Sequence, residues 1–238
     1  MNKKKVVVLT GAGISAESGI STFRDAGGLW EGHAILDVAS PQGWDRNKNL
    51  VLDFYNKRRK QLLEVKPNAA HLALVTLESN FDVTIITQNV DDLHERAGSS
   101  NIIHLHGELR KVRSTGDPSC IYLWDGPLVA GDCCEKGFQL RPHIVWFGED
   151  VPAMPYAIKA VQQADTLLII GTSLQVYPAA SLIHFTTGDA EIYYIDPKPD
   201  NELERHFPKL QINADTACRG VPELVEVLLK RTGGISVD

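Results

Sequence analysis

The strongest constraint on the fold is a glycine-rich turn that directly follows a short apolar stretch near the amino terminus. Val6–Thr10 is β-branched and apolar, and it runs into Gly11-Ala-Gly13-Ile-Ser-Ala16. Gly11 would permit a tight turn, Gly13 would let a phosphate approach the backbone, and Ala16 would allow close helix packing. Alone the pattern is weak evidence, because glycines after a strand often only make a turn. With the N–H groups of a following helix start, it predicts a site for a dinucleotide pyrophosphate.

Strand-like and helix-like segments alternate along most of the chain. The strand-like segments are apolar and β-branched, and they are Val6–Leu9, Val83–Thr87, Ile102–His104, Thr166–Ile170 and Glu191–Ile195. The helical patterns between them are Ala69–Glu78, Asp91–Ala97, Tyr156–Ala164, Ala179–Phe185 and Val221–Lys230. We expect Pro222 in the first turn of the last helix. The alternation predicts an α/β fold, a Rossmann-like parallel sheet with helices on both faces.

Two stretches interrupt this alternation. Residues 28–68 contain an amphipathic helix, about Leu50 to Val65, without a flanking strand, and residues 107–143 are rich in Gly, Pro, Cys and Asp without a clean period. We interpret both as insertions that build a small second module. The large module then comprises about 1–27, 69–106 and 144–238. A cleft between the two modules is the expected binding site.

Composition and charge exclude several classes of function. The chain has 238 residues, 43% of them hydrophobic, and a net charge of -6, which disfavours nonspecific binding to nucleic acid. No apolar run approaches the roughly 18 residues of a membrane helix, and Val6–Leu9 is too short for the core of a signal peptide. The four cysteines form no evenly spaced disulfide framework. We therefore expect a cytoplasmic protein, acting as a monomer, without membrane or nucleic-acid partners.

Polar side chains follow three of the predicted strands at their carboxyl ends, where an open α/β sheet places its ligands. They are Gln88, Asn89 and Asp91 after Val83–Thr87, His106 after Ile102–His104, and Thr172 and Ser173 after Thr166–Ile170. Amides and carboxylates could hold a carboxamide and ribose hydroxyls, and a neutral imidazole could accept a proton near pH 7. Structural interpretations stay open beside these: a helix N-cap at Asn89 or Asp91, and a hydrogen-bonded core histidine at His106.

Five motifs together resemble the sirtuin family of NAD-dependent protein deacylases. They occur in that family's order and span nearly the whole chain: Gly11–Ile20 with Thr22–Arg24, Thr87–Asp91 with Leu93 and His94, Leu105–Glu108, Arg141 and Pro142 with Val145–Glu149, and Gly171–Val176. The resemblance implies a Rossmann-like large domain, a small domain made of two insertions, and NAD as a cosubstrate. In that family the acyl group of an acyl-lysine peptide or protein moves to ADP-ribose, and nicotinamide and free lysine are released.

The resemblance also implies roles for single residues. His106 is the catalytic base that activates a ribose hydroxyl, Asn89 is the second catalytic residue and orients the ribose or a water, and Asp91 recognises nicotinamide. The other residues implied to bind NAD are Gly11, Ala12, Gly13, Ile14, Ser15, Glu17, Thr22, Phe23, Arg24, Trp30, Gln88, Gly171, Thr172, Ser173, Asp196, Lys198 and Ala217. The polar, glycine-punctuated segment 17–30 is typical of a mobile flap over a ligand. Asp196 departs from the asparagine expected there.

The acyl group and the peptide have their own candidate residues. Tyr55 and Arg58 are three positions apart, so they share a helix face, and a phenol beside a guanidinium can bind a carboxylate. The pair is similar to that of sirtuins that remove succinyl, malonyl and glutaryl groups; the alternative is a solvated basic helix face. Residues 145–149 would accept the peptide as an added strand, or form a core strand. The substrate-binding set is Ala39, Tyr55, Arg58, Val145, Phe147, Gly148, Glu149 and Val176.

The sequence departs from the family at the zinc site. Most sirtuins hold a structural zinc ion with two C-x-x-C pairs, and the matching positions here are Ser114, Asp117, Cys133 and Lys136. Only Cys133 offers a thiolate, so we predict that zinc is absent and that apolar packing holds the small module together. His104 and His106 alternate along the chain, but we expect no carboxylate or cysteine cluster beside them that would complete a metal site.

Three alternative functions stay open at this point. A mono-ADP-ribosyltransferase would use the same NAD site but transfer label from NAD to protein. A noncatalytic NAD-sensing module is disfavoured by the presence of both His106 and Asn89. A Rossmann dehydrogenase is disfavoured by the flap and by the absence of a clear acidic residue about twenty positions after the glycine turn.

Overall fold

A computed structural model describes residues 3–22 and 29–232. In chain order its strands are β1 (Lys5–Thr10), β2 (Leu29–Trp30), β3 (His33–Ala34), β4 (Asp82–Thr87), β5 (Ile102–His104), β6 (Gly107–Ser114), β7 (Ile121–Leu123), β8 (Leu140–Ile144), β9 (Thr166–Ile170), β10 (Glu191–Ile195) and β11 (Leu210–Asn213). Its α-helices are α1 (Gly13–Ala16), α2 (Ile35–Val38), α3 (Pro41–Arg46), α4 (Lys48–Glu64), α5 (Ala69–Leu77), α6 (Leu93–Ala97), α7 (Met154–Gln162) and α8 (Ala217–Thr232).

Six parallel strands form the main sheet, in the order β11-β10-β9-β1-β4-β5. The strand β9 is buried at every residue, because apolar side chains cover both faces of the sheet. Helices α5 and α8 supply Leu74, Leu77 and Val225 to one face, whereas α7 supplies Ala157 and Val161 to the other. The predicted α/β architecture with a parallel sheet is confirmed.

The order of these strands creates a crevice in the sheet. The chain moves outward from β1 to β4 and β5 and later returns to the opposite side of β1 with β9, β10 and β11. The direction of winding therefore reverses between β1 and β9, which pair in parallel from Val6–Thr166 to Thr10–Ile170. Open α/β sheets bind ligands outside the carboxyl ends of the strands at such a point.

The two interrupting stretches pack against each other beside the main sheet, and we refer to them as the small module. Strand β6 pairs antiparallel with β7 and with β8, and the short strands β2 and β3 form a hairpin beside helices α2 to α4. Aromatic side chains dominate its core, where Trp44, Phe54 and Tyr55 are buried and pack with Trp146 from just after β8. The prediction that no strand flanks the helix within residues 28–68 was wrong, because the hairpin is only two residues long on each side and has no apolar run.

Several boundaries differ from the sequence prediction. The last helix begins at Ala217 rather than Val221, so Pro222 lies at its sixth position and the expected first-turn proline was wrong. The backbone N–H of Cys218 donates to Glu17 (2.9 Å), which adds an acceptor from a distant segment at the new helix start. Ala179–Phe185 is a 3₁₀ helix, and β11 was missed because its side chains are only partly buried. Among the described residues no helix is long and apolar enough to cross a membrane.

Candidate active site

A cavity of about 480 Å³ lies at the carboxyl ends of β1, β4, β9 and β10 and is lined by residues of both modules. Every predicted site residue within the described ranges lines it, with the exception of Ile14. The side chain of Ile14 is fully buried in the core and does not line the cavity, and its predicted contact with the cofactor stays a prediction. Phe23 and Arg24 lie outside the described residues.

His106 lies in this cavity immediately after β5. Its Nδ1 is 2.9 Å from the backbone carbonyl oxygen of Gln88. A carbonyl oxygen can only accept, so Nδ1 carries the proton and the lone pair of the neutral ring is on Nε2. Burial lowers the pKa of His106, although the hydrogen bond to Gln88 opposes this shift. The ring is therefore neutral at pH 7 and can accept a proton at Nε2.

Asn89 and Asp91 are connected through the hydroxyl group of Ser15. The side-chain amide of Asn89 donates to the backbone oxygen of Gly11 (3.1 Å) and to Ser15 Oγ (3.2 Å), and Ser15 Oγ donates to Asp91 Oδ2 (3.0 Å). Burial raises the pKa of Asp91, and its hydrogen bonds to Leu93 N and Ser15 oppose this shift. The three side chains thus form one buried polar network between the loops after β1 and β4.

The helix-cap interpretation holds only in part. The N-cap of α6 is Asp92, without a side-chain cap, so neither Asn89 nor Asp91 occupies that position. Asp91 nevertheless accepts from the backbone N–H of Leu93 through Oδ1 (3.1 Å), which satisfies one free donor at the helix start. The carboxylate of Asp91 therefore supports α6 and lines the cavity at the same time.

The loop after β1, which carries Gly13, and the loop after β9, which carries Gly171, pack directly against each other. The N–H of Gly13 donates to the carbonyl oxygen of Gly171 (2.8 Å), and a Cβ atom on Gly13 would come within 2.6 Å of Gly171 Cα. The Cβ position of Gly13 is thus filled by the backbone of Gly171, which explains the glycine; its predicted approach to a phosphate stays a prediction. Ala16 is exposed, so its expected packing role was wrong.

A buried polar layer beneath the site was missed by the sequence reasoning. Thr10 Oγ1 donates to Thr87 Oγ1 (2.9 Å) and lies 3.1 Å from Nε2 of His94. Burial lowers the pKa of His94 well below its usual value, so the ring is neutral. The only signal in the sequence is that β1 and β4 each end in a threonine. This layer fixes the two strand ends from which the site loops start.

The predicted adenosine-binding residues lie along the ends of β10 and α8. Asp196 is buried and accepts from the backbone N–H of Lys198 (2.8 Å), and Ala217 is buried at the first position of α8. Both carboxylate oxygens of Glu17 are engaged, by Thr216 Oγ1 (3.1 Å) and Cys218 N (2.9 Å). Glu17 therefore ties the glycine loop to α8.

Tyr55 and Arg58 lie at the part of the cavity that the small module forms. Tyr55 is buried and its hydroxyl oxygen accepts from Trp146 Nε1 (3.0 Å), and burial raises its pKa so that the phenol stays neutral. Arg58 is only 9% exposed, its guanidinium lies over the ring of Trp30 (5.1 Å to the centroid), and its Nη1 donates to Glu31 (2.8 Å). The alternative of a solvated basic face was therefore wrong for Arg58.

Residues 145–149 do not continue the strand. β8 ends at Ile144, and the chain turns at Phe147 and Gly148, so the alternative of a core strand was wrong. Glu149 pairs with Arg141 (2.6 Å) and Arg113 (3.1 Å), which anchors the end of this turn. Phe147 is 41% exposed, and its N–H donates to the carbonyl oxygen of Ala39 (2.9 Å). The peptide-binding role of this segment stays a prediction.

Ion pairing and hydrogen bonding replace the thiolates at the four zinc-site positions. Lys136 forms an ion pair with Asp117 (2.5 Å), and the N–H of Asp117 donates to Ser114 Oγ (3.1 Å). Cys133 is an exposed free thiol, and the neighbouring Cys134 is buried with its Sγ 3.3 Å from Ser114 Oγ. A cation already lies on the carboxylate, so this set of donors does not fit zinc.

The expectation that no carboxylate cluster lies beside His104 was wrong. Its Nε2 is 2.5 Å from Glu95 Oε1, and one potential ligand atom from each of His104, Glu95 and Glu108 lies within 4.8 Å of the others. Burial alone would lower the pKa of His104, but the hydrogen bond and negative charge of Glu95 raise it overall. Lys111 neutralises Glu108 (2.6 Å). His104 thus lies in a small cluster of charged groups that favours its protonated form.

Taken together, the fold and the site define an α/β protein with a cavity at the strand ends of a parallel sheet, bounded on its other side by a small inserted module. The family model described as Sir2 family matches residues 11–178, well over half of the chain. The chain belongs to the Sir2 family, as the sequence motifs indicated.

Relatives with curated names cover almost the whole chain. A protein of Helicobacter pylori strain J99 named NAD-dependent protein deacylase is 59% identical over 94% of this chain and 97% of its own length. A protein of the same name from Bacteroides thetaiotaomicron is 55% identical over 95% of this chain and 98% of its own length.

Solved structures have the same fold. A Sir2 homologue in complex with NAD has a TM-score of 0.86 and 37% identity over 97% of this chain and 91% of that chain. A structure described as Sir2 bound to acetylated peptide has a TM-score of 0.78 and 27% identity over 98% of this chain and 95% of that chain.

Proposed function

We propose that this chain is an NAD-dependent protein-lysine deacylase that acts on acetyl-lysine and on acidic acyl groups such as succinyl and malonyl. The observation that carries the proposal is the position of His106. Its ring lies in a cavity lined by both modules, is neutral by burial, and is oriented by Gln88 so that Nε2 is the acceptor.

The cavity suits a dinucleotide in the kind of groups it offers. Strand-end loops from β1, β4, β9 and β10 line it, and they bring together the buried carboxamide of Asn89 and the buried carboxyl of Asp91. When bound, NAD supplies a ribose carbon that is activated by its nicotinamide leaving group. In our proposal Asp91 holds the nicotinamide end, Asn89 orients the ribose, and Asp196, Lys198 and Ala217 line the adenosine end.

His106 acts as the general base. Nε2 accepts the proton of a ribose hydroxyl, and the positive charge that then develops on the ring is stabilised by the Gln88 carbonyl oxygen at Nδ1. Trp30 of the small module lines the other side of the cavity together with Trp146 and Phe147 from just after β8, which limits the access of water to the reacting groups.

The acidic-acyl specificity rests on Tyr55 and Arg58. Their side chains share the face of α4 that points into the cavity, and Ala39 adds little bulk beside them. A largely buried guanidinium is a strong ligand for a carboxylate, because charge-assisted hydrogen bonds are stronger away from water. The phenol of Tyr55 is neutral and can donate a further hydrogen bond to the acyl group.

We also propose that the enzyme works as a monomer in the cytoplasm, without zinc. All four cysteines are free thiols, which suits a reducing compartment. The partners in this proposal are acyl-lysine proteins or peptides.

A mass-spectrometric assay tests the reaction and its base. Acetyl-, succinyl- and malonyl-lysine peptides are incubated with NAD, and free lysine peptide, nicotinamide and O-acyl-ADP-ribose are quantified. His106→Ala should reduce turnover by about a hundredfold or more, the range of a lost general base, while the exposed His206→Ala should not. Transfer of labelled ADP-ribose to protein without deacylation would instead support a mono-ADP-ribosyltransferase.

Arg58→Met tests the acyl specificity. Desuccinylation should fall at least tenfold more than deacetylation, because one charge-assisted bidentate contact is worth about 1.4 kcal/mol or more. Lys57→Met, on the exposed face of the same helix, is the control. Equal losses of both activities in Arg58→Met would reject the role of Arg58 in acyl recognition.

A further inference from the structure

The guanidinium of Arg58 is already paired with a carboxylate of the protein itself. Glu31 Oε1 accepts from Arg58 Nη1 at 2.8 Å, and the side chain of Glu31 is 35% exposed whereas that of Arg58 is 9% exposed. Nε of Arg58 is buried and has no hydrogen-bond partner within residues 3–22 and 29–232. Among the described residues, the contact with Glu31 is thus the direct ion pair of this buried cation, and Asp91 adds a smaller Coulombic attraction.

Glu31 sits at the tip of the shortest hairpin in the small module. The hairpin pairs Leu29 and Trp30 with Ala34 and His33, and Glu31 and Gly32 form its turn with φ values of 49° and 81°. Such a turn requires positive φ at both central residues, a conformation that is strained for glutamate. The side chain therefore pairs with Arg58 from a strained turn that has one face in solvent.

A carboxylate on the acyl group of a substrate would bind the same Arg58 guanidinium that Glu31 already contacts. Two carboxylates beside one guanidinium repel each other, so an acidic acyl group must displace or tolerate Glu31. A neutral acetyl group leaves the pair intact, and the buried Arg58 stays neutralised. Loss of either partner of a buried pair otherwise leaves an uncompensated charge.

We propose that Glu31 is a specificity-determining residue that competes with acidic acyl groups for Arg58 and holds Arg58 neutralised when the acyl group is uncharged. The proposal rests on the acidic-acyl activity proposed above. Glu31 in this role lets one pocket accept both kinds of substrate, because its carboxylate can leave for solvent when a substrate carboxylate arrives.

Glu31→Gln is the direct test, with kcat and KM measured separately on acetyl- and succinyl-lysine peptides. The KM for the succinyl peptide should fall about fivefold, as expected for release of one partly exposed ion pair, and kcat/KM for the acetyl peptide should fall. The exposed Glu64→Gln on α4 makes the same charge change and should alter neither. Equal losses on both peptides would mean that Glu31 is only structural and would overturn the proposal.

Two further variants distinguish a change of specificity from a loss of stability and show whether Glu31 acts through Arg58. Glu31→Asp retains the carboxylate and should keep the wild-type order of preference, even if Glu31→Gln melts at a lower temperature. In an Arg58→Met background Glu31→Gln should no longer change the ratio of the two activities; a change of the same size would show that Glu31 does not act through Arg58. If Arg58→Met lowers both activities equally, the proposed activity on acidic acyl groups is rejected. If Arg58→Met lowers desuccinylation selectively but Glu31→Gln changes neither activity, only the proposed competition by Glu31 is rejected.

Discussion

The carboxyl group of Asp91 is almost fully enclosed, and this burial conflicts with its negative charge. Burial raises its pKa, and the hydrogen bonds from Ser15 and Leu93 only partly oppose that shift. Burial shifts the pKa of His106 in the opposite direction. It disfavours the charged imidazolium, so it lowers the pKa and keeps the ring neutral. Burial thus favours the neutral form of both side chains, and holding them in this environment costs stability.

The pH dependence of turnover should reveal this state of His106. Its lowered pKa means that kcat/KM stays constant through neutral pH and falls only when the pH drops below 6.5, the pKa of a free histidine. The check is a profile of kcat/KM against pH for the acetyl peptide. An acidic limb with an apparent pKa above 6.5 would contradict the role of burial.

Acid unfolding also lowers activity at low pH, so it must be distinguished from the titration of His106 in the profile of kcat/KM. His71 has a pKa of about 4 because of burial, so the unfolded chain binds more protons than the folded chain between pH 6.5 and about 4. Stability therefore declines as the pH falls through that window. Circular dichroism at each pH shows where the fold is intact, and only those points enter the activity profile.

At the scale of elements, the contact between the β1 and β9 loops positions the site. Both strands end at the same edge of the sheet, and Gly11, Gly13 and Gly171 allow their following loops to touch backbone to backbone. Gly13 N–H and Gly171 O form the hydrogen bond that joins them. The sirtuin-like motifs identify these glycines in the sequence. The structure shows that the close packing of the two loops leaves no room for a Cβ atom at these positions.

Gly13→Ala tests that packing. Its Cβ would lie 2.6 Å from Gly171 Cα and 2.8 Å from Gly171 O, and backbone atoms cannot move away cheaply. We expect a loss of about 1–3 kcal/mol in the free energy of unfolding, measured by urea denaturation, together with weaker NAD binding. Gly126→Ala is the control, because its Cβ would meet no atom within 4 Å. A variant as stable as wild type would refute the backbone contact.

The sequence predicted strands where apolar, β-branched residues run together along the chain. Runs such as Thr166–Ile170 are buried on both faces and therefore read directly as strands. Strand β6 spans 107–114 but alternates buried and half-buried residues with four charged side chains, so its pairing with β7 and β8 was not predicted. The β2–β3 hairpin is too short to carry any periodic pattern.

At the scale of the whole molecule, the two modules share a continuous apolar core. Ile20 and Leu93 from the large module pack in the same cluster as Trp44, Phe54 and Trp146. Within the small module Leu109, Val112 and Leu128 are at most 3% exposed. This apolar packing supports a small module that keeps its structure without a metal ion.

The zinc prediction is therefore testable on the intact protein. A chelator should leave the melting temperature unchanged, and elemental analysis of protein purified without added metal should find far less than one zinc per chain. The physical reason is that Asp117 and Lys136 form an ion pair where two thiolates would be needed. One zinc per chain, or a fall in melting temperature on chelation, would contradict the prediction.

The sequence alone determined the parallel sheet, the strand-end position of His106, Asn89 and Asp91, and membership of the Sir2 family. These depend on local runs of residues and on motifs of fixed spacing, which are visible along the chain. The tertiary structure alone decided that Glu31 pairs with Arg58, that Glu95 and Glu108 surround His104, and that Gly13 packs on Gly171. Such contacts depend on distances between segments far apart in sequence, and those distances are set only when the chain packs.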